Sequence, residues 1–379
     1  MSEDQSLWSG YRELVRNAAG FSAEGFEEFV AFAAQYHPCA SSEKAEIVDW
    51  LSSANRQADL VPLEVLLKGW IPYAHSRTGE VSWCLPQGRA VQPFHDEYIS
   101  HCRQYLVNAL ISPRISVDNM LRHADALTEI ADPAGFIFHL SRCGSTLVSG
   151  CLAQLEQCSV LSESPLLTEI LLAGNINRED KKALLRLCLH LQGRPLPEQP
   201  HIVVKWNAWD IFYWDLIREV WPQVTALLLT RDPIEILASH SKSAGRHMSG
   251  DPALVHVHDV LGKSAIYVDP LEYRVQVLRE LMVAMSQVSA ESEVVLLDYA
   301  ELDESALKKI CSRFGIRVSP HQQMALRRRL GFNSKSPART FKADGAEKRH
   351  SLPPLHAQRI NDALSSLHLS LIKNSKKHS

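Results

Sequence analysis

The chain has 379 residues, with 40 Lys and Arg against 43 Asp and Glu and a formal charge of −3. A balance this near neutrality argues against a broad basic surface, and so against a nucleic-acid polymer as partner, while leaving room for one local basic pocket. Hydrophobic residues make up 45% of the chain, ordinary for a globular protein, and the length suits one large domain plus a smaller one. The first 17 residues are polar and contain no apolar h-region of a secretory signal. No uninterrupted apolar stretch is long enough to span a bilayer. The eight Cys are scattered with no C-x-x-C pair, the pattern of free thiols in a reducing compartment. A cytoplasmic location is the expectation that follows.

Residues 1–130 are expected to be a mainly helical N-terminal extension or lid. Ser22 is placed to cap a helix carrying Phe26, Phe29 and Phe32 on one face, with acids in its first turns. A second amphipathic segment runs from Glu43 to Leu51, and a third from Asp59 to Leu67 with Pro62 in its first turn. Residues 69–93, dense in Gly, Pro and aromatics, read as an irregular connector. A helical region then runs from Phe94 to about Leu110.

Residues 131–379 read differently. Gly135 to Leu140 is an apolar run of strand length, Ser141-Arg142-Cys143-Gly144-Ser145-Thr146 is a tight loop, and Leu147 to Leu155 is helical. Strand, loop and helix in this order point several backbone N–H groups at one anion and belong to a parallel α/β sheet. Gly144 permits close approach, Ser145 and Thr146 add hydroxyls, and Arg142 adds a cation. The loop is not a Walker A motif, because Ser145 stands where Lys is required and His139 stands where the first Gly is required. It is not a G-x-G-x-x-G fingerprint either.

Further strands follow at Cys158 to Leu161, His201 to Lys205, Val224 to Thr230 and Glu293 to Tyr299. Polar groups stand at their carboxyl ends, where open α/β sheets bind ligands: Glu163, Lys205 and Arg231. Glu163 can serve as a general base or cap the helix that begins at Pro165; Arg231 can bind an anion or pair with Asp232. A helix is expected from Trp209 to Val220, and Trp206, Trp209 and Trp214 read as core or wall residues. Helices are also expected from Ile234 to His240, Leu271 to Gln287 and Asp303 to Arg313, and through Leu371 near the end. Residues 241–269, rich in Gly, His, Ser and Asp, read as a wall over an acceptor site. His256, His258 and Asp259 have no third ligand placed by spacing, so no metal is expected.

The loop at 141–147 resembles the 5'-phosphosulfate-binding loop of sulfotransferases that use 3'-phosphoadenylyl sulfate (PAPS), usually Pro-[Arg/Lys]-Ser-Gly-[Thr/Ser]-Thr. Ser141 and Cys143 depart from that pattern. Arg231-Asp232-Pro233, with Ser239 eight positions beyond Arg231, resembles the family's 3'-phosphate pair. The motif layout is most similar to the tyrosylprotein and carbohydrate types and covers about Gly135 to Glu301.

The resemblance implies a P-loop-like three-layer α/β domain that moves the sulfuryl group of PAPS to a hydroxyl or amine of a small-molecule, carbohydrate or peptide acceptor. It places Arg142, Cys143, Gly144, Ser145 and Thr146 on the phosphosulfate and Arg231 and Ser239 on the 3'-phosphate. Lys205 then stands near the transferring group, and Glu163, 21 residues beyond Arg142, is the base. Lys335, Arg339 and Lys342, in the basic tail, become a strap over the nucleotide. His139, His240 and His247 compete for the base role, but the His of small-molecule sulfotransferases follows a later strand than His139 does. A raised Glu163 pKa would suit a base best. An ATP-dependent phosphotransferase and a non-catalytic nucleotide-binding interaction protein are the alternatives.

Overall fold

The computed structural model describes residues 23–35, 43–124, 130–193, 199–250, 269–332, 348–349 and 351–375. Two compact units emerge, one of Met1–Ala131 with Ser164–Pro197, the other of Asp132–Glu163 with Glu198–Ser379. Ser22, Lys335, Arg339, Lys342, His256, His258 and Asp259 lie outside the described residues.

The second unit is the α/β domain. Strands β4 (Gly135–His139), β5 (Cys158–Ser162), β6 (His201–Lys205), β7 (Ala226–Thr230) and β8 (Val294–Asp298) form one sheet in the order β5-β6-β4-β7-β8. Every neighbouring pair is parallel. Strands β4, β5 and β7 are buried along their whole length, which explains their near-continuous apolar runs.

Side chains on a strand alternate between the two faces. Ile137 therefore enters one core with Val148, Leu152, Leu307, Ile310 and Leu326, below the helices Ser145–Leu152, Glu304–Arg313 and Pro320–Leu330. Phe136 and Phe138 enter the opposite layer, in edge-on contact with Trp221 at 5.4 Å and Trp214 at 5.3 Å. Trp206 is 1% exposed in the same layer, a core residue as its sequence context implies. Helices on both faces complete a three-layer domain. The Pro354–Ser375 helix packs on Pro270–Val288, and its Ile360, Leu364 and Leu371 are fully buried.

The first unit combines helices with a small antiparallel sheet. Helices Ala23–Ala34 and Lys44–Ser52 form where periodicity places them. The connector expected at 69–93 instead contains a hairpin of β1 (Ile71–His75) and β2 (Glu80–Cys84), joined on β2 by β3 (Arg114–Ser116). Val81 and Trp83 are both fully buried, and Gly79, at φ 78°, makes the turn. Pro72 is accommodated because β1 is an edge strand with an irregular register beside it. The helix expected from Asp59 shortens to Leu63–Leu66, because Asp59 takes φ 62° and accepts hydrogen bonds from Ser116 N and Asn119 Nδ2 instead. The region from Phe94 to Leu110 breaks into His95–Arg103 and Leu106–Leu110.

No helix among the described residues is long and apolar enough to cross a membrane.

A Cβ on Gly135, the first residue of β4, would lie 2.3 Å from the buried Phe314 ring. A rigid buried ring cannot move aside cheaply, so Gly135→Ala should cost about 1–3 kcal/mol through overpacking. Denaturant melts should show a lower midpoint at unchanged slope; an unchanged midpoint would contradict this packing.

Candidate active site

The sheet order decides which side chains meet. Strand β5 ends in Glu163, β6 in Lys205, β4 in the 141–146 loop and β7 in Arg231, so the carboxyl ends present these groups side by side. The chain leaves β4 toward β5 and later returns past β4 to β7, a reversal of direction that opens a crevice at the strand ends.

Three residues of this crevice adopt the left-handed backbone that side chains disfavour: Ser141 at φ 65°, Arg142 at 52° and Glu163 at 56°. Gly144, at φ 85°, is the N-cap of the Ser145–Leu152 helix. Such conformations cost about 1–3 kcal/mol each in non-glycine residues and persist only where the surroundings enforce them. The enforcing contacts are visible. Ser141 N donates to His139 Nδ1 at 3.0 Å, and Glu163 N donates to Lys205 O at 2.6 Å, extending the β5–β6 ladder by one rung. A tight turn leading directly into a helix start is the kind of place where backbone N–H groups and the helix dipole bind an anion. Gly144 has a second constraint, since a Cβ there would lie 2.7 Å from the Tyr299 ring.

Lys205 is fully buried and donates from Nζ to Thr146 Oγ1 at 3.3 Å, with Glu163 Oε1 at 3.0 Å. His139 Nε2 faces the same Glu163 oxygen at 3.4 Å. Because His139 Nδ1 accepts from a backbone N–H, the neutral ring carries its proton on Nε2, toward Glu163. Burial pushes the Glu163 carboxyl up, but the Lys205 ammonium and then His139 outweigh it and hold the group well below the usual carboxylate range. The raised value that would suit a base is thus reversed, because the neighbours of Glu163 are Lys205 and His139.

Arg142 NH2 donates to Ser243 O at 2.7 Å, and burial draws its guanidinium down while Glu163 draws it back up. Arg231 is 4% exposed. It does not pair with Asp232, the alternative its sequence context offers. Glu235 Oε2 takes its Nε and NH2, both at 2.7 Å, while Arg142 O accepts from its NH1 at 3.1 Å. Asp232 caps the Pro233–Lys242 helix instead. The Arg231 guanidinium also stacks over Tyr299 at 4.1 Å. Ser239 lies half-buried two turns along the same helix.

Cys143 is fully buried in the apolar core, where burial pushes its thiol up to about 12, so only its backbone faces the loop. Ser145 and Thr146 are buried at the helix start. His240 is fully buried and accepts Gly245 N on Nδ1 at 3.1 Å. His247 meets His240 edge-on and lies tilted against Trp209, and burial, aided by His139 and Arg142, lowers it to about 3. The His139 contact and Tyr299 have no signal in local sequence spacing. Glu235 alone sits at the i+4 distance from Arg231 that an ion pair on one turn allows.

Lys205→Met would leave the Glu163 carboxylate facing a buried methionine. The Glu163 pKa should rise, read by NMR titration of its carboxyl carbon. Glu163 is depressed in the fold, so the pair stabilises fully above the ordinary value near 4.3 and loses that contribution as pH falls through the folded value. The variant should unfold about 3 kcal/mol more easily at pH 7 and show a weaker acid dependence than the unaltered protein. Equal stability of the two proteins at pH 7 would refute the pairing.

No family model matches the chain, and no curated protein matches it. Solved structures do overlap with it. A sulfotransferase from Alicyclobacillus acidocaldarius is 12% identical, covering 65% of this chain and 97% of that one at a TM-score of 0.40. Sulfotransferase STF9 from Mycobacterium avium is 11% identical, covering 93% and 97% at 0.38. Mouse sulfotransferase SULT7A1 complexed with PAP is 13% identical, covering 70% and 93% at 0.35. At these identities and scores the overlaps assign the chain to no family.

Proposed function

We propose that the chain is a PAPS-dependent sulfotransferase acting on a hydroxyl or amine. The observation that carries this reading is the left-handed turn at Ser141, Arg142 and Gly144, set beside a fully buried Lys205 that pairs with Glu163 at 3.0 Å. An anion held by the loop N–H groups, Arg142 and the Ser145 and Thr146 hydroxyls suits a phosphosulfate. Arg231 and Ser239 suit the second phosphate that distinguishes PAPS from ATP. The only cation in the 141–146 loop is Arg142, which does not suit the ATP alternative and its loop Lys.

Sulfuryl transfer forms a bond from the acceptor oxygen or nitrogen to sulfur as the bond from sulfur to the bridging phosphate oxygen breaks. The acceptor proton passes to Glu163, and the products are the sulfated acceptor and 3'-phosphoadenosine 5'-phosphate (PAP). The depressed ground-state basicity of Glu163 fits this step in one way. Negative charge growing on the departing oxygen competes for the Lys205 ammonium, so the field holding the carboxylate down weakens while the proton is transferred. His139, whose Nε2 lies 3.4 Å from Glu163 Oε1, helps to orient the carboxylate in this reading.

Isothermal titration should show PAP binding at micromolar Kd or tighter without added metal, and radiolabelled PAPS should transfer its label to some member of an acceptor panel. Glu163→Gln should lower kcat by about 100- to 10,000-fold with PAP affinity nearly unchanged. Failure of the folded protein to bind PAP would end the proposal; full turnover by Glu163→Gln would remove Glu163 as base.

A further inference from the structure

Glu235 is bracketed by two arginines. Its Oε2 is held by Arg231, while its Oε1 meets Arg349 NH2 at 2.9 Å. The same Arg349 nitrogen reaches Asp232 Oδ2 at 3.1 Å, whose other oxygen caps the helix by accepting from Ile234 N at 2.8 Å. The four charges therefore sum to zero. Without Arg349 the group would consist of one cation and two carboxylates, and its net charge would be negative.

That sum matters for any anion at Arg231. Glu235 already occupies the Nε and NH2 edge of the guanidinium. A phosphate approaching Arg231 meets the carboxylates of Glu235 and Asp232 at close range, and among the described residues Arg349 offsets them from the solvent side, with its side chain 55% exposed. Glu235 is itself nearly buried, its side chain 10% exposed, so water screens it poorly.

We propose that Arg349 is a positioning residue for the anion site at Arg231: by holding Glu235 and Asp232 it leaves the Arg231 charge available to a second, 3'-type phosphate on the nucleotide. The proposal rests on the nucleotide assignment above, and it adds a determinant of preference for nucleotides that carry this phosphate. Arg349 acts through Glu235 and is not itself in contact with the reacting atoms. The expected signature is selective. Loss of Arg349 should weaken a ligand bearing the 3'-phosphate and leave one lacking it almost unaffected.

The test compares PAP with adenosine 5'-phosphate by titration calorimetry on the full chain. Arg349→Met should weaken PAP about tenfold at low salt, with adenosine 5'-phosphate within about twofold. Arg349→Lys should recover most of the loss. Adding Glu235→Gln to Arg349→Met should also recover it, because removing the carboxylate removes the need for its counter-charge. Equal weakening of both nucleotides, or failure of both compensating changes, would mark a general structural role and overturn the proposal. If the unaltered protein binds PAP and Arg349→Met binds it equally well, this inference alone falls. If the unaltered protein does not bind PAP, the nucleotide assignment falls with it.

Discussion

The buried ammonium of Lys205 is the constraint around which the candidate site is organised. It stands at the end of β6, wholly out of solvent, and it meets polar groups from both neighbouring strands: Thr146 Oγ1 beyond β4 and Glu163 Oε1 beyond β5. A buried charge is tolerated only when paired and hydrogen-bonded. The requirement therefore ties three strand ends together and forces Glu163 into its left-handed backbone, with Glu163 N on Lys205 O. The same requirement keeps the Glu163 carboxyl depressed, so the structural role and the chemical character of this residue have one cause.

Strain on the loop follows a similar logic. Ser141 and Arg142 in the left-handed region gain little from their own side chains. They are held by the His139 ring on one side and by the carbonyl contact of Arg142 with Arg231 on the other. Tyr299 closes the set, lying against Gly144 and under the Arg231 guanidinium. Residues from the ends of β4, β7 and β8 thus share one small region, and the left-handed turn is their common solution.

Three cations of this region stand against carboxylates. Lys205 faces Glu163, Arg231 faces Glu235, and Arg349 faces both Glu235 and Asp232. The concentrated positive charge implied by Arg142, Lys205 and Arg231 in sequence is in the fold an alternation of cations and carboxylates. A ligand anion must compete with internal carboxylates for these donors, which favours ligands that engage several of them together.

The sequence alone determined the α/β class and the positions of the strands, because buried parallel strands read as apolar runs and the helices after them begin with recognisable caps such as Asp232-Pro233. It also located Arg142, Lys205, Arg231 and Glu163 at strand ends. It did not reveal the β1–β2 hairpin, whose buried Val81 and Trp83 are hidden among Gly and Pro that signal turns. Tertiary structure alone decided who pairs with whom. The groups occur along the chain in the order 142, 163, 205, 231, but the sheet sets them in space as Glu163, Lys205, the loop and Arg231. Arg231 chose Glu235 over its immediate neighbour Asp232, and Arg349 joined them from far along the chain. Backbone propensity acts over a few residues, whereas the energy of a charge depends on distance in space, on burial and on every other charge nearby.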